Sequence, residues 1–430
     1  MIKQIEPVRS FRGTLENLPA DKSISHRAAM FAALAEGTSH IDNYPASADP
    51  QSTLACLSGL GVEVNYSDNK LTITSPGKDG FKPVTDVLDC GNSGTTMRLL
   101  SGIVAGAGLN VTLTGDHSLN GRPMKRIIDP LRQMGAEITH TEKGTAPLVF
   151  RKSSGLKGIH YPLPIASAQV KSCVLLAGLY AEGQTTVVEF HPSRDHTERL
   201  LGLETERRDD GSTAIYSSRA SVIEPLNMKI PGDISGAAFW LVAGCIYHDS
   251  EIVLKNVGIN PTRNAVISVL QRMGANIQVT VCADSGKEPL ADIKVSSSEL
   301  KSVELAPEEI PNCIDEIPVL AVAMAFADGD SEIRNAEELR AKETDRIMAV
   351  ATMLKSAGVD CTEYKDGFKV KGNPGFKPNP AEYASWHDHR MAMASAILAG
   401  RSTGPSTIKD SDATAVSYPG FWKDFEQLRV

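Results

Sequence analysis

Gly91-Asn92-Ser93-Gly94-Thr95-Thr96-Met97-Arg98 opens a small-residue run with helical character, and five other places in the chain repeat the arrangement. They are Asp21-Lys22-Ser23-Ile24-Ser25-His26-Arg27, Ala166-Ser167-Ala168-Gln169-Val170-Lys171, Gly232-Asp233-Ile234-Ser235-Gly236-Ala237, Asp315-Glu316-Ile317-Pro318-Val319-Leu320 and His387-Asp388-His389-Arg390-Met391-Ala392. Counted from 21, 91, 166, 232, 315 and 387, these openers lie 70, 75, 66, 83 and 72 residues apart. Elements recurring in one order at such a spacing mark a repeat architecture.

Each opener starts a similar course. A breaker such as Gly37, Gly183 or Gly329 predicts the end of the first helix. A β-rich run follows, as at residues 110–114, 185–190 and 252–257. A second amphipathic helix then closes on a glycine and another strand, at Gly61, Gly135, Gly274 and Gly358; residues 201–211 depart from this closing pattern. The pattern predicts an α/β protein of six βαβ-type units, most simply three per domain. The boundary is expected near Pro231-Gly232. Residues 19–231 then form an N-terminal domain, and residues 1–18 with 232–430 a C-terminal domain whose first strand comes from the chain start.

Composition supports a folded two-domain protein. At 430 residues the chain exceeds one ordinary core, and 41% hydrophobic with 22% charged residues is typical of globular proteins. A net charge of −8 argues against a general nucleic-acid binder, which usually presents a basic face. The seven cysteines form no CxxC pair and no Cys/His cluster, which fits reduced thiols of the cytoplasm better than disulfides or zinc. The first ten residues carry Lys, Glu and Arg without an apolar run, so no secretory signal is expected. No apolar run of about 18 residues predicts a membrane span.

The openers carry the chemistry. A helix start attracts anions through free N–H groups and its dipole. Lys22, Arg27, Arg98 and Arg390 add fixed cations there, which suits a phosphorylated, carboxylated substrate despite the acidic chain. Ser23 and Ser25 read as caps or as ligands, and residues 92–96 as a turn and cap or as an anion cradle. Gly121-Arg122-Pro123-Met124 reads as a second helix start with Pro123 in the first turn and Arg122 able to grip an anion with two N–H groups. In Lys342-Glu343-Thr344-Asp345-Arg346, a helix would put Lys342 and Arg346 on one face, as a surface ion-pair run or as part of a site. Asp315 reads equally as a cap or a base. His387-Asp388-His389 lacks further ligands at metal spacing and adjoins an Arg, so no metal is expected.

Together these segments, with Ser193-Arg194-Asp195-His196-Thr197-Glu198 and Pro231-Gly232-Asp233-Ile234-Ser235, resemble the signatures of the 5-enolpyruvylshikimate-3-phosphate synthases, in family order over nearly the whole chain. The resemblance implies an inside-out α/β barrel fold, two similar domains of three βαβαββ units each, with the active site in the interdomain cleft. It implies transfer of the enolpyruvyl group of phosphoenolpyruvate to the 5-hydroxyl of shikimate 3-phosphate, on the route to chorismate and the aromatic amino acids. No cofactor is implied; a cytoplasmic monomer acting on small molecules, without nucleic acid or membrane, is expected. At matching positions Lys22, Ser23, Arg27, Ser167, Ala168, Gln169, Ser193, Asp315 and Lys342 would hold shikimate 3-phosphate. Lys22, Asn92, Gly94, Arg122, Gln169, Arg346 and Arg390 would hold phosphoenolpyruvate. Lys22, Asp315 and Glu343 would share the proton transfers. Departures from the pattern are Ala20 for a Gly, Ala168 for a Ser, Glu338 for an Asn, and Ala415 near a position where some members place a Lys.

The related enzyme acting on UDP-N-acetylglucosamine usually has a Cys five residues before the Arg of the Arg-Pro pair; here that residue is His117. An RNA 3′-phosphate cyclase would need a basic path, and a non-catalytic anion binder would have no use for Lys22, Asp315 and Glu343 together.

Overall fold

All six openers begin helices: Lys22–Leu34, Gly94–Gly106, Ala168–Gly178, Ile234–Ile246, Ile317–Ala325 and His389–Ala399. This computed structural model describes residues 1–282 and 287–430. Capping explains where the helices start. The side chains of Asp21, Ser93, Ser167, Asp233 and Asp388 each accept a backbone N–H from the first turn. The fifth helix has Glu316 at its cap position without such a bond, and Pro318 in its first turn. Asp315 therefore precedes the cap and is not the cap.

The fourth and fifth of these helices are apolar almost all round. Every residue of Ile234–Ile246 and of Ile317–Ala325 is buried. Such helices belong in the centre of a core, not on its surface. Gly94–Gly106 packs on Ala168–Gly178 and on Lys22–Leu34, and Ile234–Ile246, Ile317–Ala325 and His389–Ala399 pack on one another. Small residues allow close approach: a Cβ at Gly102 would stand 2.2 Å from the carbonyl oxygen of Cys173.

The sheets follow one strand order, complete with four strands in the first four and cut to three in the fifth and sixth. In the first unit Asn227–Lys229 runs parallel to Glu36–Asp42, which pairs antiparallel with Lys70–Pro76, itself antiparallel to Glu63–Ser67. The second, third and fourth sheets repeat this order. In the fifth the leading strand shrinks to single bridges at Lys301 and Glu304. In the sixth, Ile2–Ile5 from the chain start pairs antiparallel with Ser406–Lys409. Arg12–Leu15 likewise runs parallel to Glu251–Gly258 of the fourth unit.

By contact the chain divides into two compact units, one of residues 1–19, 231–282 and 289–430 and the other of residues 20–230 with 287–288. Each has its own hydrophobic core. The expected C-terminal range of 232–430 is corrected at Glu288, which accepts a hydrogen bond from buried His196 of the N-terminal unit at 2.9 Å.

Local expectations change at five places. Gly37 and Gly329 lie within strands, because the chain passes from helix to strand with little turn between. The closing glycine missing from residues 201–211 is Gly202, left-handed at φ 65°, which ends the short helix His196–Leu201. Pro123 precedes the capping residue Met124 of helix Lys125–Gln133 and is not in its first turn. Lys342 and Arg346 do not share a helix. Asp345 accepts the N–H of Met348 and starts helix Arg346–Ala357, while Lys342 is extended.

Candidate active site

In the N-terminal unit, cations gather at the starts of the buried helices. Arg98 Nη1 donates to Gln169 Oε1 at 2.6 Å, and Gln169 Nε2 donates to Thr95 Oγ1 at 3.0 Å, which ties the second opener to the third. Arg122 Nη2 donates to Asn92 Oδ1 at 2.8 Å, and Asn92 Nδ2 to Asp116 Oδ2 at 2.7 Å. Both guanidinium groups flank the first turn of helix Gly94–Gly106. A Cβ at Gly94 would lie 3.0 Å from Arg98 Nη1 and 3.4 Å from Arg122 Nη1. Their closest partners are neutral amide oxygens, so two like charges stand together beside a helix N-terminus. Burial, then Arg122 and Arg126, lowers Arg98 to about 10. An anion relieves that repulsion and fills the helix N–H groups.

Lys22 pairs with Asp49 Oδ2 at 2.8 Å and keeps its ammonium half-exposed. Arg27 is buried: Nε donates to Thr197 Oγ1 at 2.9 Å, Nη2 to Ser172 Oγ at 3.0 Å and Nη1 to the Ser23 carbonyl at 3.0 Å. Burial lowers it to about 10. Ser167 caps its helix, and Ala168, the first helical residue, accepts from Ser172 through its carbonyl at 2.6 Å. Ser193 Oγ donates to Glu189. Behind it, fully buried Lys171 joins Glu189 at 2.7 Å and Glu198 at 2.6 Å. Lys171 and Asp49 were not singled out from sequence; only tertiary pairing exposes their part.

In the C-terminal unit, Asp315 stands among four cations. Arg263 lies at 3.5 Å, Arg346 at 3.6 Å, Arg390 at 3.8 Å and Lys342 at 3.9 Å. Arg390 also donates to the Asp315 carbonyl at 3.1 Å. Arg346 is buried; its Nε donates to Asp388 Oδ2 at 2.8 Å and its Nη2 to Glu343 Oε2 at 2.6 Å. Asp388 thus caps one helix and pins the arginine that starts another. Lys342 donates to Glu338 at 3.1 Å, a use for the carboxylate that departs from the Asn of some members. Burial pushes Glu343 up, but the Arg346 guanidinium and other neighbours leave it below the usual carboxylate value. Burial and adjacent Arg390 lower His389 to about 4, so it is neutral near pH 7.

The structure therefore gathers Asn92, Gly94, Arg122 and Gln169 with Arg98 in one unit, and Asp315, Lys342, Glu343, Arg346 and Arg390 in the other. Sequence reading passed over Arg263, although the repeat held a signal. Arg122, Arg194, Arg263 and Arg346 all stand at, or within three residues before, the start of their unit's second helix. Among the described residues no group of three or more His, Cys, Asp or Glu is arranged to hold a metal ion, and no helix is long and apolar enough to cross a membrane.

Buried helices with cationic starts in a six-unit repeat define an anion-binding α/β protein. The sequence model for EPSP synthase (3-phosphoshikimate 1-carboxyvinyltransferase) matches residues 5–425. The chain is 49% identical to the 3-phosphoshikimate 1-carboxyvinyltransferase of Salinibacter ruber, with 100% of both chains covered. It is 43% identical to that of Bacillus subtilis over 98% of each. EPSP synthase from Acinetobacter baumannii superimposes with a TM-score of 0.91 at 40% identity, covering 100% of this chain and 98% of that one. An enolpyruvyl transferase from Streptomyces tendae, at 18% identity and a TM-score of 0.76, shares the fold. The chain belongs to the EPSP synthase family.

Proposed function

We propose that this protein transfers the 1-carboxyvinyl group of phosphoenolpyruvate to the 5-hydroxyl of shikimate 3-phosphate and releases phosphate. The observation that carries this reading is the Arg98–Arg122 pair beside Gly94, two cations with neutral partners at a helix start. That arrangement suits a small ligand bearing both carboxylate and phosphate.

The chemistry assigns the remaining groups. The hydroxyl oxygen bonds to C2 of phosphoenolpyruvate while C3 gains a proton, giving a tetrahedral ketal phosphate. The C2–phosphate oxygen bond then breaks as C3 loses a proton, which restores the vinyl group. Asp315 serves as the base for the hydroxyl, its carboxylate oriented by the cations around it. Lys22 and Glu343 serve proton transfer at C3 and at the leaving phosphate. Asn92, Gly94, Arg122, Gln169, Arg346 and Arg390, joined by Lys22, hold phosphoenolpyruvate. Lys22, Ser23, Arg27, Ser167, Ala168, Gln169, Ser193, Asp315 and Lys342 hold shikimate 3-phosphate. Both sets serve one substrate pair, and fixed cations supply much of the transition-state stabilisation. We assign the enzyme to the cytoplasm as a monomer; the seven free thiols suit a reducing compartment.

Omission tests decide the acceptor. Shikimate 3-phosphate should support phosphate release from phosphoenolpyruvate and UDP-N-acetylglucosamine should not. The reverse outcome sinks the reading.

A further inference from the structure

We propose that Arg263 is a positioning residue that fixes the carboxylate of Asp315, an inference that rests on the base role assigned to Asp315 above. Arg263 lies in the loop before helix Ala265–Arg272, with its side chain only 5% exposed. Its guanidinium is engaged by Ser235, Asp233 and Asp315 and is assigned to neither substrate, so its effect on the reaction passes through those neighbours.

The fork of the guanidinium spans two openers. Nη2 donates to Ser235 Oγ at 2.8 Å and lies 3.4 Å from Asp233 Oδ1, both at the start of the fourth helix. Nη1 lies 3.5 Å from Asp315 Oδ2, ahead of the fifth. One rigid plane thus references Asp315 to the capped end of a fully buried helix. Ser235 in turn donates to Glu316, and Arg390 Nη1 stands 3.8 Å from that same Glu316 oxygen. The other three cations near Asp315 have further duties: Arg346 on Asp388 and Glu343, Arg390 on the Asp315 carbonyl, Lys342 on Glu338. They are also the ones assigned to substrate. Arg263, assigned to no ligand, stays on Asp315 when ligands engage those three, and it keeps the carboxylate aimed as the hydroxyl proton arrives.

The test is a double-mutant cycle on the full chain, with turnover and KM measured for both substrates and folding checked by circular dichroism. Arg263→Met should lower kcat by about tenfold or more while the KM for phosphoenolpyruvate stays within about threefold. Placed in Asp315→Ala, it should leave the residual rate unchanged, because its effect passes through the missing carboxylate. A kcat loss that persists undiminished in Asp315→Ala, or no loss in the single variant, overturns the positioning role. Wild-type turnover in Asp315→Ala alone sinks the base role itself, a separate result. If Arg263→Met does not fold, Arg263→Lys, which keeps the charge but not the fork, carries the same cycle with the same deciding outcomes.

Discussion

Replacing Gly94 with Ala tests the anion cradle through a single carbon. The added Cβ would meet Arg98 Nη1 at 3.0 Å and Arg122 Nη1 at 3.4 Å, both closer than the comfortable contact range of about 3.5–4.0 Å. Gly94 begins its helix with an ordinary negative φ, so the backbone accepts Ala. Reduced freedom of the unfolded chain should even add about 0.4–1 kcal/mol of stability. The strain falls on the ends of two flexible side chains, so the fold survives and the guanidinium groups give way. Arg98 is held by Gln169 and Arg122 by Asn92, so a shift disturbs their aim at a bound anion. Losing one charged hydrogen bond costs about 1.5–3 kcal/mol, hence a rise of about 10- to 100-fold in KM for phosphoenolpyruvate. KM for shikimate 3-phosphate should stay within about threefold. Initial rates of phosphate release, varying each substrate at saturation of the other, give both constants. A folded variant whose phosphoenolpyruvate KM stays within about twofold of the parent would refute the reasoning.

Lys22→Ala and Glu343→Ala should each cut turnover by about a hundredfold or more, measured at saturating substrates with a fold check. Near-parental turnover in either would remove that residue from the proton-transfer step. Lys171→Ala strands Glu189 and Glu198 without their shared cation and should cost about 3–5 kcal/mol in urea unfolding. Burial holds His26 at about 3 and His389 at about 4 in the folded state, below the ordinary 6.5. Between those values the unfolded chain binds more protons, so the stability these neutral imidazoles contribute is complete above pH 6.5 and shrinks as pH falls towards 4. The urea midpoint should accordingly be lower at pH 5 than at pH 7.

The openers were legible in the sequence because their physics is local. A capping Asp or Ser followed by small apolar residues specifies a buried helix start wherever it falls. The recurring order then implied six units, and the sheets follow that order down to the strand borrowed from Ile2–Ile5. Gly202 escaped because its helix is only six residues long, so the closing glycine arrives early. The pairing of Lys342 with Arg346 on one helix failed because Asp345 caps between them, a choice that sequence periodicity does not resolve. Among functional groups, Lys22, Arg122 and Arg390 announced themselves as cations at helix starts. The constraints on them did not: Asp388 under Arg346, Gln169 on Arg98, and Arg263 on Asp315 join residues far apart in the chain. Those links belong to tertiary packing.

The most direct test of enolpyruvyl transfer is stoichiometry. Purified protein is mixed with phosphoenolpyruvate and shikimate 3-phosphate, and free phosphate is counted while the organic product is identified by mass spectrometry. One phosphate should appear for each shikimate 3-phosphate converted to its 5-carboxyvinyl ether, and none when either substrate is omitted. Phosphate release without the acceptor, or no product from folded protein, would contradict it.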